Sequence, residues 1–406
     1  MIEYNAKYGT VKIFADEVED TALSQIIEVA NSPLAKDAQI RIMPDVHAAV
    51  GVTIGTSIKL PESEYDWRVS PNIVGIDIGC GMTAVKLKNF DMSLSDFDAI
   101  VHKVVPSGMS VHDTPKHSLT DDERELIKTL DYRDSLESEI NWIERSIGTM
   151  GGGNHFIELG IDKNGEHWLT VHSGSRGLGV LVAKSHQKRA VANMSTSKYD
   201  HVIEKMRRDG KEHLIDGILK DLSKDKSMNI RRELSYLMGE PLNDYLNAMD
   251  IAQNYASRNR KAMLQAITQA ARLKTTDEID SVHNYIDTEL GIIRKGATSA
   301  QLNERLLIPI NMRDGMIIGR GLGNADWNYS APHGAGRILK RSDASKYITL
   351  SDYEESMKDV YSSAIGASTL DESPFVYKTI EDITTHIGDS VEILDVVKPI
   401  YNFKAK

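Results

Sequence analysis

The sequence predicts an α+β fold in one large domain spanning residues 1–406. Three observations lead there. Runs of β-branched and aromatic residues, bounded by glycines, alternate with segments of helical spacing. The alternation lacks the regular βαβ spacing of a doubly wound sheet or an eight-fold barrel. No Pro/Ser-rich linker, low-complexity tract or fixed-period repeat marks a joint between domains. A mostly helical insertion is expected at about 178–273.

The elements follow in order. Residues 9–15, GTVKIFA, read as a strand. Residues 20–31 place Ala22, Leu23, Ile26, Ile27 and Ala30 at helical spacing. QIRIM (39–43) is a short strand running into PDVH, and residues 49–59 and 73–87 read as strand and turn. Ser93 with Asp96 opens an amphipathic helix through Val104, and Thr120 with Glu123 forms a capping box for a helix near 121–130. Residues 148–177 hold two β-like segments with glycine turns. KSHQKR (184–189) and KMRRDGK (205–211) read as solvated helix faces. Residues 281–300 and 305–324 return to strand and turn, and 351–366 read as helix. The C-terminal segment ends in YNFKAK.

Composition narrows the function. Hydrophobic residues make up 41%, enough for a substantial core. The 48 Lys plus Arg against 59 Asp plus Glu give a net charge of −11, which argues against coating nucleic acid broadly but allows a local anion site. Cys80 is the lone cysteine, so no intramolecular disulfide is possible. The N-terminus lacks a basic start and apolar region, and no apolar run approaches the ~20 residues of a membrane span. A soluble, cytoplasmic protein with no membrane partner is expected.

Thirteen histidines are present. His102, His186, His201 and His213 read as solvated side chains. His155 in GGGNHF, His172 in VHSGSRG, His283 in VHNY and His333 in SAPHGAGR sit instead beside glycine or asparagine in turn contexts, with His47 in MPDVH a weaker case. Asp77 and Cys80 stand three residues apart, with a glycine between them. Asp77, Cys80, His155, His172 and His283 would exceed one tetrahedral site, so two metals sharing a thiolate is one reading. A buried structural role for the histidines and thiol is the other. Arg176, Arg294 with Lys295, Arg320, Arg337 and Arg341 lie near glycines, a pairing suited to phosphate. In HGAGR, Gly334, Ala335 and Gly336 let the backbone approach a ligand closely.

As a set, MPDVH, VGIDIGCGM, GTMGGGNHFIE, VHSGSRG, HNY, RKGA, RGLGN and HGAGR resemble the RtcB family of RNA-splicing ligases, from about residue 40 to the C-terminus. The resemblance implies a ligase dependent on GTP and Mn²⁺. It would join RNA ending in a 3′-phosphate or 2′,3′-cyclic phosphate to RNA starting with a 5′-hydroxyl. His333 would be the nucleophile that takes up GMP, with Asp45 close by as a second catalytic residue. Asp77, Cys80, His155, His172 and His283 would hold two Mn²⁺ ions, Cys80 bridging. Asn154, Arg176, Arg337 and Arg341 would hold phosphates, and Glu158, Tyr377 and Lys404 would contact guanosine. The chain departs from the family pattern at PINMRDGM (309–316), where Asn311 and Met316 replace serines that meet the guanosine. The resemblance implies a function in RNA repair or tRNA splicing; the departure marks a divergent paralogue. It also keeps open a metal-dependent phosphodiesterase or phosphatase acting on RNA 3′ ends. A non-catalytic binder of RNA ends is the third reading.

Overall fold

The computed structural model describes residues 1–132, 134–208, 210–211, 214 and 231–405, and side chains outside 195–205. His201 and His213, read above as solvated, and part of KMRRDGK lie outside this description. Among the described residues the chain mixes helices with two main sheets. Strands are numbered in chain order. The first sheet holds β1 (Ile2–Asn5), β2 (Thr10–Ile13), β3 (Gln39–His47), β4 (Ile54–Lys59), β9 (Asn284–Asp287) and β10 (Ile292–Lys295), in the order β1-β2-β3-β4-β10-β9. The second holds β5 (Gly81–Leu87), β6 (Phe156–Ile161), β7 (His167–Ser173), β8 (Thr275–Val282), β12 (Arg305–Asn311), β13 (Gly315–Gly321) and β15 (Val391–Lys404), in the order β12-β13-β15-β6-β7-β5-β8. A short pair, β11 (Ala297–Ser299) with β14 (Ser330–Pro332), completes the set.

Side-chain alternation explains how the second sheet is buried on both faces. Along β5, Val85 and Leu87 join one apolar cluster while Met82 and Ala84 join another on the opposite face. The first of these clusters also takes Phe97 and Val101 from the helix Leu94–Val104, and Met263 and Ile267 from the helix Gly239–Ala270. Ser93 caps the former by accepting from the Asp96 N–H, and Thr120 with Glu123 closes a full capping box on the helix Asp121–Thr129.

Several local expectations are corrected. Residues 73–87 hold the expected turn and strand only from Gly75 on, because Pro71 starts a helical turn, Pro71–Val74, ahead of β5. The helix expected over 351–366 stops at Ser356. The helix Leu136–Arg145 was not foreseen, nor was β15, which runs 14 residues through the middle of the second sheet. Its charges mask the strand pattern; pairing with β13 on one side and β6 on the other overrides them. His186 is 2% exposed rather than solvated, its ring against Tyr245 at 5.3 Å, and burial pushes its pKa down to about 4.

Candidate active site and metal centre

Strand register brings the distant motifs together. Gly81 opens β5 opposite Ser173, the end of β7, and opposite Val282, the end of β8. Cys80, His172 and His283 therefore stand at one end of the sheet. Phe156 pairs with His172, so His155, just before β6, arrives at the same end. At His283 the chain leaves the second sheet and enters β9 of the first, so the site sits where the two sheets meet. Asp77 fits because Gly174 is bare: a Cβ there would lie 2.1 Å from Asp77 Oδ1.

The donor atoms form a row. Asp77 Oδ2 lies 2.9 Å from His155 Nε2, which lies 3.5 Å from Cys80 Sγ. Cys80 Sγ is 3.3 Å from His172 Nε2, and that atom is 3.3 Å from His283 Nε2. The thiol sits in the middle. His155 Nδ1 faces the Met150 carbonyl at 2.9 Å; donation there selects the tautomer whose Nε2 lone pair points into the row. Burial holds the His172 and His283 rings well below their ordinary pKa, so both are neutral. His172 Nδ1 is buried with no partner. Two neutral imidazole nitrogens facing each other, beside a thiol and a carboxylate, offer more lone pairs than protons. A divalent cation resolves that imbalance, and the N, S and O donor set fits one. Among the described residues, Cys80, His155 and His172 put donor atoms within 4.8 Å of one another. Burial, then Asp77, pushes the Cys80 thiol well above its usual pKa; a bound cation would reverse this by stabilising the thiolate.

His333 follows β14, and its ring centroid lies 4.8 Å from that of His283. Asp45 Oδ2 accepts from the His333 backbone N–H at 3.1 Å and meets Nδ1 at 2.6 Å. Asp45 is free to do so because β3 loses register with β4 between Ile42 and His47. Gly336, at φ +77°, passes so close that a Cβ would meet the Asp45 carbonyl oxygen at 2.3 Å. His333 opens onto a cavity of about 450 Å³ that also bears Asn154, Glu158, Asn311, Arg337, Arg341, Tyr377 and Lys404.

This order of motifs runs through nearly the whole chain. A family model described as tRNA-splicing ligase RtcB matches residues 25–405. The chain belongs to the RtcB family. The RNA-splicing ligase RtcB of Escherichia coli strain K12 is 29% identical over 424 aligned residues, covering 94% of this chain and 94% of that protein. The tRNA-splicing ligase RtcB of Pyrobaculum aerophilum is 24% identical over 467 aligned residues, covering 92% and 90%.

Within this RtcB-family chain the remaining residues foreseen from sequence divide by position. Gly334, Ala335 and Gly336 line the cavity with His333, as does His47, whose Nδ1 meets the Asp45 carbonyl at 3.0 Å. Asn311 lines it too, but its Oδ1 accepts from the Arg313 and Asp314 N–H groups and its Nδ2 donates to Asp314, closing a local turn. Arg176 stands behind His155, donating to Thr149 Oγ1 and the Gly108 carbonyl, each at 3.0 Å. Arg294 does not serve phosphate. It is fully buried and bonded to Asp287, Tyr285 and Ser330, because the chain needs a fork of donors inside the first sheet. Arg320 pairs with Glu392 at 3.4 Å, out on the surface. Lys295 Nζ donates to the Val50 and Asn72 carbonyls.

Two residues escaped sequence reasoning. Glu372, 3% exposed, gathers the polar end of the cavity: Lys404 Nζ at 2.6 Å, the Tyr377 hydroxyl at 2.7 Å, Arg341 Nη1 at 2.5 Å and Arg337 Nη1 at 3.4 Å. Burial alone would raise its pKa, but Lys404 and Arg341 hold it down to about 2. Asn402, 1% exposed, donates to Glu158 Oε2 at 2.8 Å. Neither sits in a glycine-rich turn, and apart from Tyr377 their partners lie far along the chain, so no local signal pointed to them. Among the described residues no helix is long and apolar enough to cross a membrane.

Proposed function

We propose that this RtcB-family chain is an RNA ligase dependent on GTP and Mn²⁺, acting in RNA repair or tRNA splicing. It joins RNA 3′-phosphate or 2′,3′-cyclic phosphate ends to 5′-hydroxyl ends through a histidine–GMP intermediate. The observation that carries this reading is the Asp45–His333 pair standing beside the donor row. With Nδ1–H donated to Asp45, the His333 Nε2 lone pair is the nucleophile. It attacks the α-phosphorus of GTP; the N–P bond forms and the bond to the β-phosphate oxygen breaks, releasing pyrophosphate. Asp45 stabilises the charge that develops on the ring.

GMP then passes from His333 to the RNA 3′-phosphate, which becomes a mixed anhydride as the N–P bond breaks. The 5′-hydroxyl attacks the activated 3′-phosphorus, and GMP leaves. A cyclic phosphate must first be opened by water. In this reading Glu158, Tyr377 and Lys404 face the guanine, and Asn154, Arg176, Arg337 and Arg341 bind phosphates. Asp77, Cys80 and His155 would hold one Mn²⁺, and Cys80, His172 and His283 the other. Bound there, the ions would neutralise phosphate charge and favour pyrophosphate departure.

Incubation with GTP labelled at the α-phosphate and Mn²⁺ tests the reading. An acid-labile GMP adduct, absent in His333→Ala, is the expected result. Metal-loaded wild type that forms no adduct would overturn it. A second reading draws on Asn311, whose polar atoms are taken up by its own turn and not by the cavity. In that case the chain hydrolyses RNA 3′ ends without nucleotide, and end hydrolysis unchanged by GTP would favour it.

A further inference from the structure

Glu158 and Asn402 are directly paired residues on β6 and β15, both buried and both on the cavity wall. Asn402 Nδ2 donates to Glu158 Oε2, yet Asn402 Oδ1 is buried and has no partner. Lys404, two residues along the same strand face, bonds to Glu372 and not to Glu158. Beyond Lys404, Arg337, Arg341 and Tyr377 converge on Glu372 as well. On the other flank β7 sets Thr170 opposite Glu158 and, two pairs on, His172 opposite Phe156, its ring turned to the donor row. Glu158 is thus a buried acid whose side-chain bond is to an amide alone. Burial drives its pKa up to about 8, against the pull of Asn402 and Lys404.

An amide has two ends. Its N–H₂ serves a carboxylate; rotated by half a turn, its oxygen accepts from a carboxylic acid. The two forms of Glu158 present different faces to a ligand. A carboxylate offers acceptors only and complements adjacent N–H donors, as on the edge of guanine. A carboxylic acid offers a donor beside an acceptor and complements an amine beside a bare ring nitrogen, as on the edge of adenine. We propose that Asn402 is a specificity-determining positioning residue, holding Glu158 in either form so that the cavity's choice between guanine and adenine edges follows pH. Guanine binding to the protonated form releases the Glu158 proton to solvent. This inference rests on the nucleotide reading of the cavity.

Calorimetric titration of GTP and ATP, without RNA, tests it between about pH 6 and about pH 9. In wild type the ratio of GTP to ATP affinity is expected to rise at least about tenfold with pH. Below the midpoint, GTP binding is expected to release a proton, read from buffers of different ionisation enthalpy. Asn402→Leu flattens the pH dependence, while Asn402→Ser, which keeps a donor and an acceptor, retains it. A flat ratio in wild type, or Asn402→Leu with the wild-type profile, overturns the inference and leaves the ligase reading intact. Failure of wild type to bind either nucleotide overturns both. Should Asn402→Leu not fold, the wild-type proton release and the Asn402→Ser profile decide.

Discussion

Asp45 and His333, separated by 288 residues, are joined twice: the carboxylate oxygen Oδ2 meets both the backbone N–H and the ring Nδ1 of the histidine. The double contact fixes the ring's tautomer and its orientation together. Asp45→Asn keeps the shape but can present an N–H to Nδ1, favouring the wrong tautomer. Adduct formation is expected to fall on the order of 10²–10⁴-fold, with GTP affinity little changed. Labelling rates and binding measured on the same sample check this.

Gly336 bears on the same pair. It takes φ +77°, and a side chain would press on the Asp45 carbonyl oxygen. Gly336→Ala is expected to shift Asp45 and slow labelling while the protein stays folded. A rate equal to wild type would show that Asp45 tolerates the push.

Cys80 lies at the middle of the donor row. If its sulfur serves both halves, Cys80→Ser lowers the content of both metals, whereas Asp77→Asn and His283→Ala each lower one. Elemental analysis after dialysis against Mn²⁺ measures the stoichiometry. A Cys80→Ser protein retaining full metal would remove the shared thiolate.

Glu372 links the cavity to stability. Its folded pKa of about 2 lies below the usual 4.5, so it stabilises the fold above about pH 4.5. That contribution fades as pH falls toward 2. The shift corresponds to roughly 3 kcal/mol at neutral pH. Glu372→Gln is expected to lower stability at pH 7 and to flatten the acid limb of a denaturation series. An unchanged acid limb would contradict the ionised, cation-bound carboxylate.

Arg294 gives a contrasting test. Removing a fully buried guanidinium leaves Asp287 without its partner. Arg294→Ala is expected to cost roughly 3–5 kcal/mol of stability, seen as a lower Tm. The folded fraction should bind GTP as wild type does; weakened binding at full stability would restore a phosphate role.

The alternation of glycine-bounded strands and helices, the capped helices at Ser93 and Thr120, and the separate motifs bearing Asp77, Cys80, His155, His172, His283 and His333 were all legible in the sequence. Capping and periodicity depend on residues within a turn or two, and glycine beside a functional group is a local pattern. These features by themselves determined the fold class, the family resemblance and the likeness of the site to a metal centre. The tertiary structure alone decided that Arg294 is structural, that β15 is a central strand, that Asn402 lines the cavity, and that Glu372 holds the cations that line it. It also decided that Asp45 reaches His333, through a break in register that no single strand encodes. The physical reason is range: each of these depends on contacts between segments far apart in the chain, where burial and pairing override what each residue prefers alone.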